Sequence, residues 1–74
     1  MMSNQAPPLE CPLTKRQIEC VEWASRGKTA FETGIILGIT HFSVERHIKD
    51  ATTAAGVTNK AAVVAAALRN GWIE

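Results

Sequence analysis

The sequence predicts an all-α fold, four short helices bundled around one small core. Three observations carry that expectation. Helix-start and helix-stop residues alternate along the chain, much of the apolar content is alanine, and no alternating apolar and polar run competes as a strand. At 74 residues the chain makes one domain at most. A domain of that size buries only about 60–65% of the surface its unfolded form exposes. Packing several short helices together suits a chain with 46% apolar residues but only two Trp, two Phe and no Tyr.

The elements follow in order. Residues 1–12 read as a flexible lead or linker, because Pro7, Pro8 and Pro12 forbid a helix and favour extended backbone. The folded domain is expected over residues 13–74. Thr14 and Gln17 match a capping box, in which hydroxyl and side-chain amide each satisfy a main-chain N–H of the other residue. Helix one then runs to about Arg26, and Gly27 supplies a left-handed stop. Thr29 and Glu32 form a second box and open a short helix two, ending near Leu37 with Gly38 as its stop. Thr40 caps helix three, from about His41 to Ala55, and Gly56 closes it. Thr58 or Asn59 caps helix four, Lys60 to Asn70, with Gly71 as terminator.

Composition bounds the function. Eight basic residues against seven acidic ones give a net charge of +1, a weak overall attraction for a polyanion that is gripped through Lys and Arg. Cys11 and Cys20, taken with His41 and His47, lack the short Cys pair and the roughly 12-residue spacer of a zinc finger, so neither metal nor other cofactor is expected. Two unpaired thiols fit a reducing cytoplasm. Residues 1–10 have neither the basic start nor the apolar run of a signal peptide, and no segment approaches the ~20 apolar residues of a membrane span. No enzyme is read either. Gly34 to Gly38 is not a phosphate loop, since no strand precedes it and no Gly-Lys-Ser/Thr follows. Cys20 falls on the apolar side of helix one and reads as core.

The middle pair of helices is the most informative. A short helix, a turn at Gly38-Ile39-Thr40 and a longer helix form the helix-turn-helix pattern. Ile39 is expected to plug the gap between the two helices. Val44 and Ile48, four apart, give helix three a core face, and Ile35, Ile36 and Leu37 are expected to supply the matching surface from helix two. The opposite face of helix three carries His41, Glu45, Arg46, Lys49, Thr52 and Thr53, side chains of the kind a major-groove reader needs.

In order and spacing, Leu13-Thr14-x-Arg16-x-x-Glu19, Gly27-Lys28-Thr29-x-Phe31-Glu32, Ile36-Leu37-Gly38-Ile39-Thr40, Ser43-Val44-x-x-His47, Gly56-Val57-x-Asn59-Lys60 and Gly71-Trp72-Ile73 resemble the LuxR-type helix-turn-helix domain. The similarity runs from about Leu13 to Ile73. Glu19-Cys20 with Trp23-Ala24 and Gly27-Lys28-Thr29 is similar to the quorum-sensing branch, whose members carry an acyl-homoserine-lactone sensing domain upstream. With no such domain in these 74 residues, the resemblance implies an isolated effector domain or a stand-alone regulator. It implies that helix three enters the major groove and that helix four makes a homodimer. By position, Glu45, Arg46 and Lys49 would face bases, and Lys28, Thr29, Thr40, Ser43 and His47 would contact phosphates. Thr33 departs from the family's usual hydrophobic residue, and Ala54-Ala55 from its usual Lys-Leu pair. The second departure removes a phosphate contact and thins the core.

Each candidate also has a plainer reading. Arg46 and Lys49 are base or phosphate ligands, or a solvated face. Glu45 accepts from cytosine N4, or pairs within the helix with Lys49 at i,i+4. His47 touches a phosphate or covers the helix surface, and His41 is open between the same two. Trp23, Trp72 and Phe31 read as core or core-edge packing rather than a platform for single-stranded bases. Phe42, near the start of helix three, reads either as packing or as partly exposed toward DNA. Helix four is apolar all round: Val63 and Ala67 can pack inward, which leaves Ala61, Val64, Ala65 and Leu68 for a partner helix.

The expected function is therefore sequence-specific duplex DNA binding by a dimeric output module of a bacterial transcription regulator, in the cytoplasm. Expected partners are double-stranded DNA, a second copy through helix four, and RNA polymerase or a LuxR-type relative. The competing expectation is an interaction module that sequesters a full-length relative through helix four and binds DNA weakly.

Overall fold

The computed structural model describes residues 11–74 as four helices, α1 (Lys15–Ser25), α2 (Ala30–Leu37), α3 (His41–Ala55) and α4 (Lys60–Arg69). Among the described residues there is no strand. α3 packs against each of the other three helices, and α1 touches all of them as well. α2 and α4 do not meet, so they stand apart on the α1–α3 pair. Most of the expected lead, residues 1–10, lies outside the described residues. Cys11, at its end, is half-buried against the core.

The helix starts follow from side-chain chemistry. Thr14 Oγ1 accepts the Gln17 N–H at 3.2 Å, while Gln17 Oε1 accepts the Thr14 N–H at 3.0 Å. Thr29 and Glu32 repeat the arrangement at 3.1 and 2.9 Å. α3 has the hydroxyl half alone, Thr40 Oγ1 accepting from Ser43 N–H at 3.1 Å. At α4 the cap is Asn59, whose Oδ1 accepts the Ala62 N–H at 2.8 Å. Such a cap contributes about 1 kcal/mol by satisfying a main-chain donor the helix cannot.

Val21 of α1 and Val63 of α4, both fully buried, share the core with Val44 and Ile48 of α3. Leu13 and Ile73 close it from the two chain ends. Trp72 lies half-buried at its margin, whereas Trp23, also half-buried, stands outside that cluster with the Arg26 guanidinium 5.7 Å from its ring centroid. Cys20 is wholly buried, and burial is the main reason its thiol is pushed above its ordinary range.

The expectation for α2 is corrected. Its inward face is Ala30, Thr33, Gly34 and Leu37, the i, i+3, i+4, i+7 set, with Thr33 and Gly34 buried. Ile35 and Ile36 are 70% and 45% exposed, so only Leu37 of the three expected isoleucine and leucine residues meets the core. Phe31 is also outside the core, at 64% exposure. Hydrophobicity alone pointed these residues inward. The helical period points them outward, because a glycine must occupy the inner position that touches the turn. Thr52 moves the other way: it is buried, and its hydroxyl donates to the Lys49 carbonyl at 2.6 Å.

Candidate nucleic-acid interface

The α2–turn–α3 unit is held rigid from within. Gly34 carbonyl oxygen accepts the Ile39 N–H at 2.9 Å, and Gly38 adopts φ +74°, a left-handed conformation that favours glycine. Ile39 is half-buried and packs on the core between the two helices, as expected. This fixes where α3 emerges and which face it turns outward.

That outward face is set by the residues α3 buries, Val44, Ile48, Ala51 and Thr52. At about 100° per residue the opposite face carries Phe42, Arg46, Lys49 and Thr53. All four are exposed. Glu45 is exposed too, but sits about 100° around the helix from Arg46, on one flank with its carboxylate beside the stripe. Ser43 and His47 occupy the other flank and are half-buried. Asp50, exposed next to Lys49, was not singled out from the sequence. Its spacing of four from Arg46 is the signal that places it near the stripe.

Charge is balanced here. Arg46 and Lys49 face outward with Glu45 and Asp50 around them, so the exposed α3 surface carries no net charge. Among the described residues the ion pairs are Arg16–Glu19 at 3.0 Å and Arg26–Glu22 at 2.8 Å. Glu45 and Lys49 are not among these pairs. Neither Arg46 nor Lys49 is ion-paired among the described residues.

The expected phosphate contacts divide at the helix starts. Lys28 is exposed just ahead of α2. Thr29, the α2 cap, is exposed, but its N–H is already taken by the Glu32 carboxylate. That N–H, with help from the Thr29 hydroxyl and the Lys28 charge, holds the Glu32 carboxyl below its ordinary range. An anion thus already occupies the α2 N-terminus, where a phosphate would otherwise be favoured. At α3 the Thr40 hydroxyl lies 3.3 Å from Ser43 Oγ and can donate to it, leaving the Ser43 proton for another acceptor.

His41 is half-buried rather than part of the exposed face, with its ring 4.1 Å from that of Phe42 and 6.0 Å from that of Phe31. With Ile35 and the turn, these rings line an open apolar depression of about 480 Å³. Sequence reasoning placed Phe31 and Ile35 in the core and so missed it.

On α4, Val63, Ala66 and Ala67 are buried. Ala61, Ala65 and Leu68 face away from them and are exposed, Leu68 by 50%. Val64 lies at the edge, half-buried against the core. Among the described residues nothing covers this stripe, and no described helix is long and apolar enough to cross a membrane.

No family model matches the chain. It is similar to the HTH-type quorum sensing-dependent transcriptional regulator RpaR of Rhodopseudomonas palustris, with 39% identity over 72 residues, 97% of this chain and 30% of that protein. It is 43% identical over 58 residues to the transcriptional activator protein BjaR1 of Bradyrhizobium diazoefficiens, covering 78% of this chain and 24% of the relative. The transcriptional activator protein AhyR of Aeromonas hydrophila is 41% identical over 59 residues, 80% of this chain and 23% of its own length. The chain therefore spans less than a third of the curated relatives it matches. Among solved structures it superposes on the transcription factor GerE with a TM-score of 0.80 at 26% identity, over 84% of this chain and 92% of that one. With four helices in this order and a helix-turn-helix at their centre, the chain has the LuxR-type helix-turn-helix fold.

Proposed function

We propose that this domain binds duplex DNA sequence-specifically, as the output module of a bacterial transcription regulator in the cytoplasm. The observation that carries the reading is the exposed α3 stripe with Arg46 and Lys49, neither ion-paired among the described residues, behind a hydrogen-bonded turn. The relatives named as transcription regulators support it. Lys28, Thr29, Thr40, Ser43 and His47 would contact phosphates and set the register, while Arg46, Lys49 and Glu45 would discriminate base edges. No bond-making chemistry is involved, and the domain acts by occupying its site.

A homodimer through Ala61, Val64, Ala65 and Leu68 of α4 completes the reading. Two α3 helices related by a two-fold axis would recognise a near-palindromic site. RNA polymerase or a LuxR-type relative would be the further protein partner.

A second reading is favoured by one observation, the absence of net charge on the outward α3 face. A module so built could pair with a relative through α4 and withhold it from DNA. Fluorescence anisotropy separates the two, with random and selected duplexes titrated at two salt concentrations. Salt-sensitive binding with enrichment of a two-fold-symmetric site supports the DNA reader. No binding at tens of micromolar by the folded protein would transfer the assignment to the sequestering module.

A further inference from the structure

Phe42 is 71% exposed where it lines the apolar depression. It is the second residue of α3, it does not cap the helix, and it lies outside the core cluster. Phe is also a poorer helix former than the polar residues that usually fill such a site. Its place in the helical register is specific. Phe42, Arg46 and Lys49 stand at i, i+4 and i+7, so the ring is on the same exposed stripe as the two cations. It occupies the N-terminal turn of α3, the end that a helix-turn-helix presents to base edges. The His41 ring lies beside it, 4.1 Å away at an interplanar angle of 34°.

We infer that Phe42 is a base-reading residue, recognising the C5-methyl group of a thymine in the major groove by apolar contact. This deepens the DNA-binding reading and rests on it. The major-groove edge of A·T differs from G·C in offering one apolar group, the thymine methyl, and an aromatic or small apolar side chain is its natural complement. The charge balance of α3 gives this contact weight, since Arg46 and Lys49 are offset by Glu45 and Asp50. Recognition then leans on base-edge contacts rather than on general attraction to phosphate. Burying one methyl group against the ring corresponds to about fourfold in affinity.

The test is a cycle between the protein and the DNA. A two-fold-symmetric site selected by the full chain is resynthesised with each thymine in turn replaced by deoxyuridine, which lacks only the methyl. Affinities are measured for the unsubstituted protein and for Phe42→Ala, whose fold is checked by its melting temperature. The expected result is one thymine per half-site where removal of the methyl weakens the unsubstituted protein about fourfold and leaves Phe42→Ala unaffected. Methyl removal that weakens both proteins equally, or neither, overturns the inference. So does a Phe42→Ala affinity equal to that of the unsubstituted protein for every duplex. Failure of the unsubstituted chain to select any site defeats the DNA-binding reading itself, a different outcome from these.

Discussion

Gly34 presses directly on the carbonyl oxygen of Ile39: a β-carbon at position 34 would lie 2.6 Å from it, and 3.3 Å from the main chain of Thr40 and His41. The contact is backbone to helix, so no flexible side chain can give way. It sets the spacing between α2 and the start of α3.

Gly34→Ala therefore tests two opposed effects. Helix propensity alone favours alanine by about 1 kcal/mol at an interior helical position. The clash with fixed main chain opposes it, at a cost of about 1–3 kcal/mol for overpacking of this kind. Because the approach is shorter than any real β-carbon contact, the clash should win, and urea unfolding should show net destabilisation. A variant more stable than the parent would mean the turn opens easily and does not fix α3.

The four helices were legible because each boundary is written in short-range chemistry. Thr14, Thr29, Thr40 and the glycines need only their neighbours to act, and they act as expected. The cap left open between Thr58 and Asn59 was settled by which side chain reaches Ala62 N–H. Position around a helix was harder to read. In α2 the apolar residues Phe31, Ile35 and Ile36 are outside, while Thr33 and Gly34 are inside, so hydrophobicity and periodicity disagreed and periodicity was right. In α3 the stripe of Arg46 and Lys49 was legible from spacing to Val44 and Ile48. The same spacing places Thr52, four after Ile48, on the buried face, but its polar side chain pointed the reading outward; the Lys49 carbonyl satisfies its hydroxyl there.

Thr33 offers a sharper test of that inversion. It is 1% exposed, and among the described residues its hydroxyl has no hydrogen-bond partner. Thr33→Val keeps the shape and removes the polar atom. Leaving a buried hydroxyl unsatisfied costs about 1–3 kcal/mol, so valine should raise the unfolding midpoint by a corresponding amount. A fall in stability would indicate that the hydroxyl is bonded after all and anchors α2.

On α3, Arg46→Ala and Lys49→Ala should each weaken binding to a selected site by about 1–3 kcal/mol if they read bases, and should relax preference at one position. If they touch phosphate alone, the loss should be uniform across sequences and the salt dependence should flatten. Glu45→Gln should tighten binding to random duplex, since it removes a negative charge beside the stripe without touching the core. Equal affinity for all three variants and the parent would remove α3 as the reading helix.

On α4, Leu68→Asp should yield a monomer without loss of fold, because Leu68 is half exposed while Val63 and Ala67 carry the inward packing. Sedimentation of parent and variant at high micromolar concentration, with and without DNA, reads the difference. A parent that is strictly monomeric even on DNA would remove α4 from the proposed dimer. A variant that still dimerises would move the interface elsewhere.

Glu32 links the helix start to pH. Its carboxyl is held below the ordinary range chiefly by the Thr29 N–H, so the folded state favours the ionised form more than the unfolded chain does. For a lowered carboxyl, the stabilisation is present in full above the unfolded-state value and is lost as pH falls through the folded-state one. Glu32→Gln keeps an acceptor for Thr29 N–H but cannot ionise. The parent should therefore melt above Glu32→Gln near neutral pH, and the gap should close as pH falls below the ordinary carboxylate range. The side chain is fully exposed, so the gap will be small and should shrink with added salt. The same substitution removes a negative charge from the α2 N-terminus, where Thr29 and Lys28 are proposed to meet phosphate. DNA affinity at neutral pH should consequently rise in Glu32→Gln even though stability falls. A variant that loses both would show that the ionised Glu32, and not merely an acceptor there, is needed to present the phosphate-binding residues, and that its charge is no obstacle to DNA.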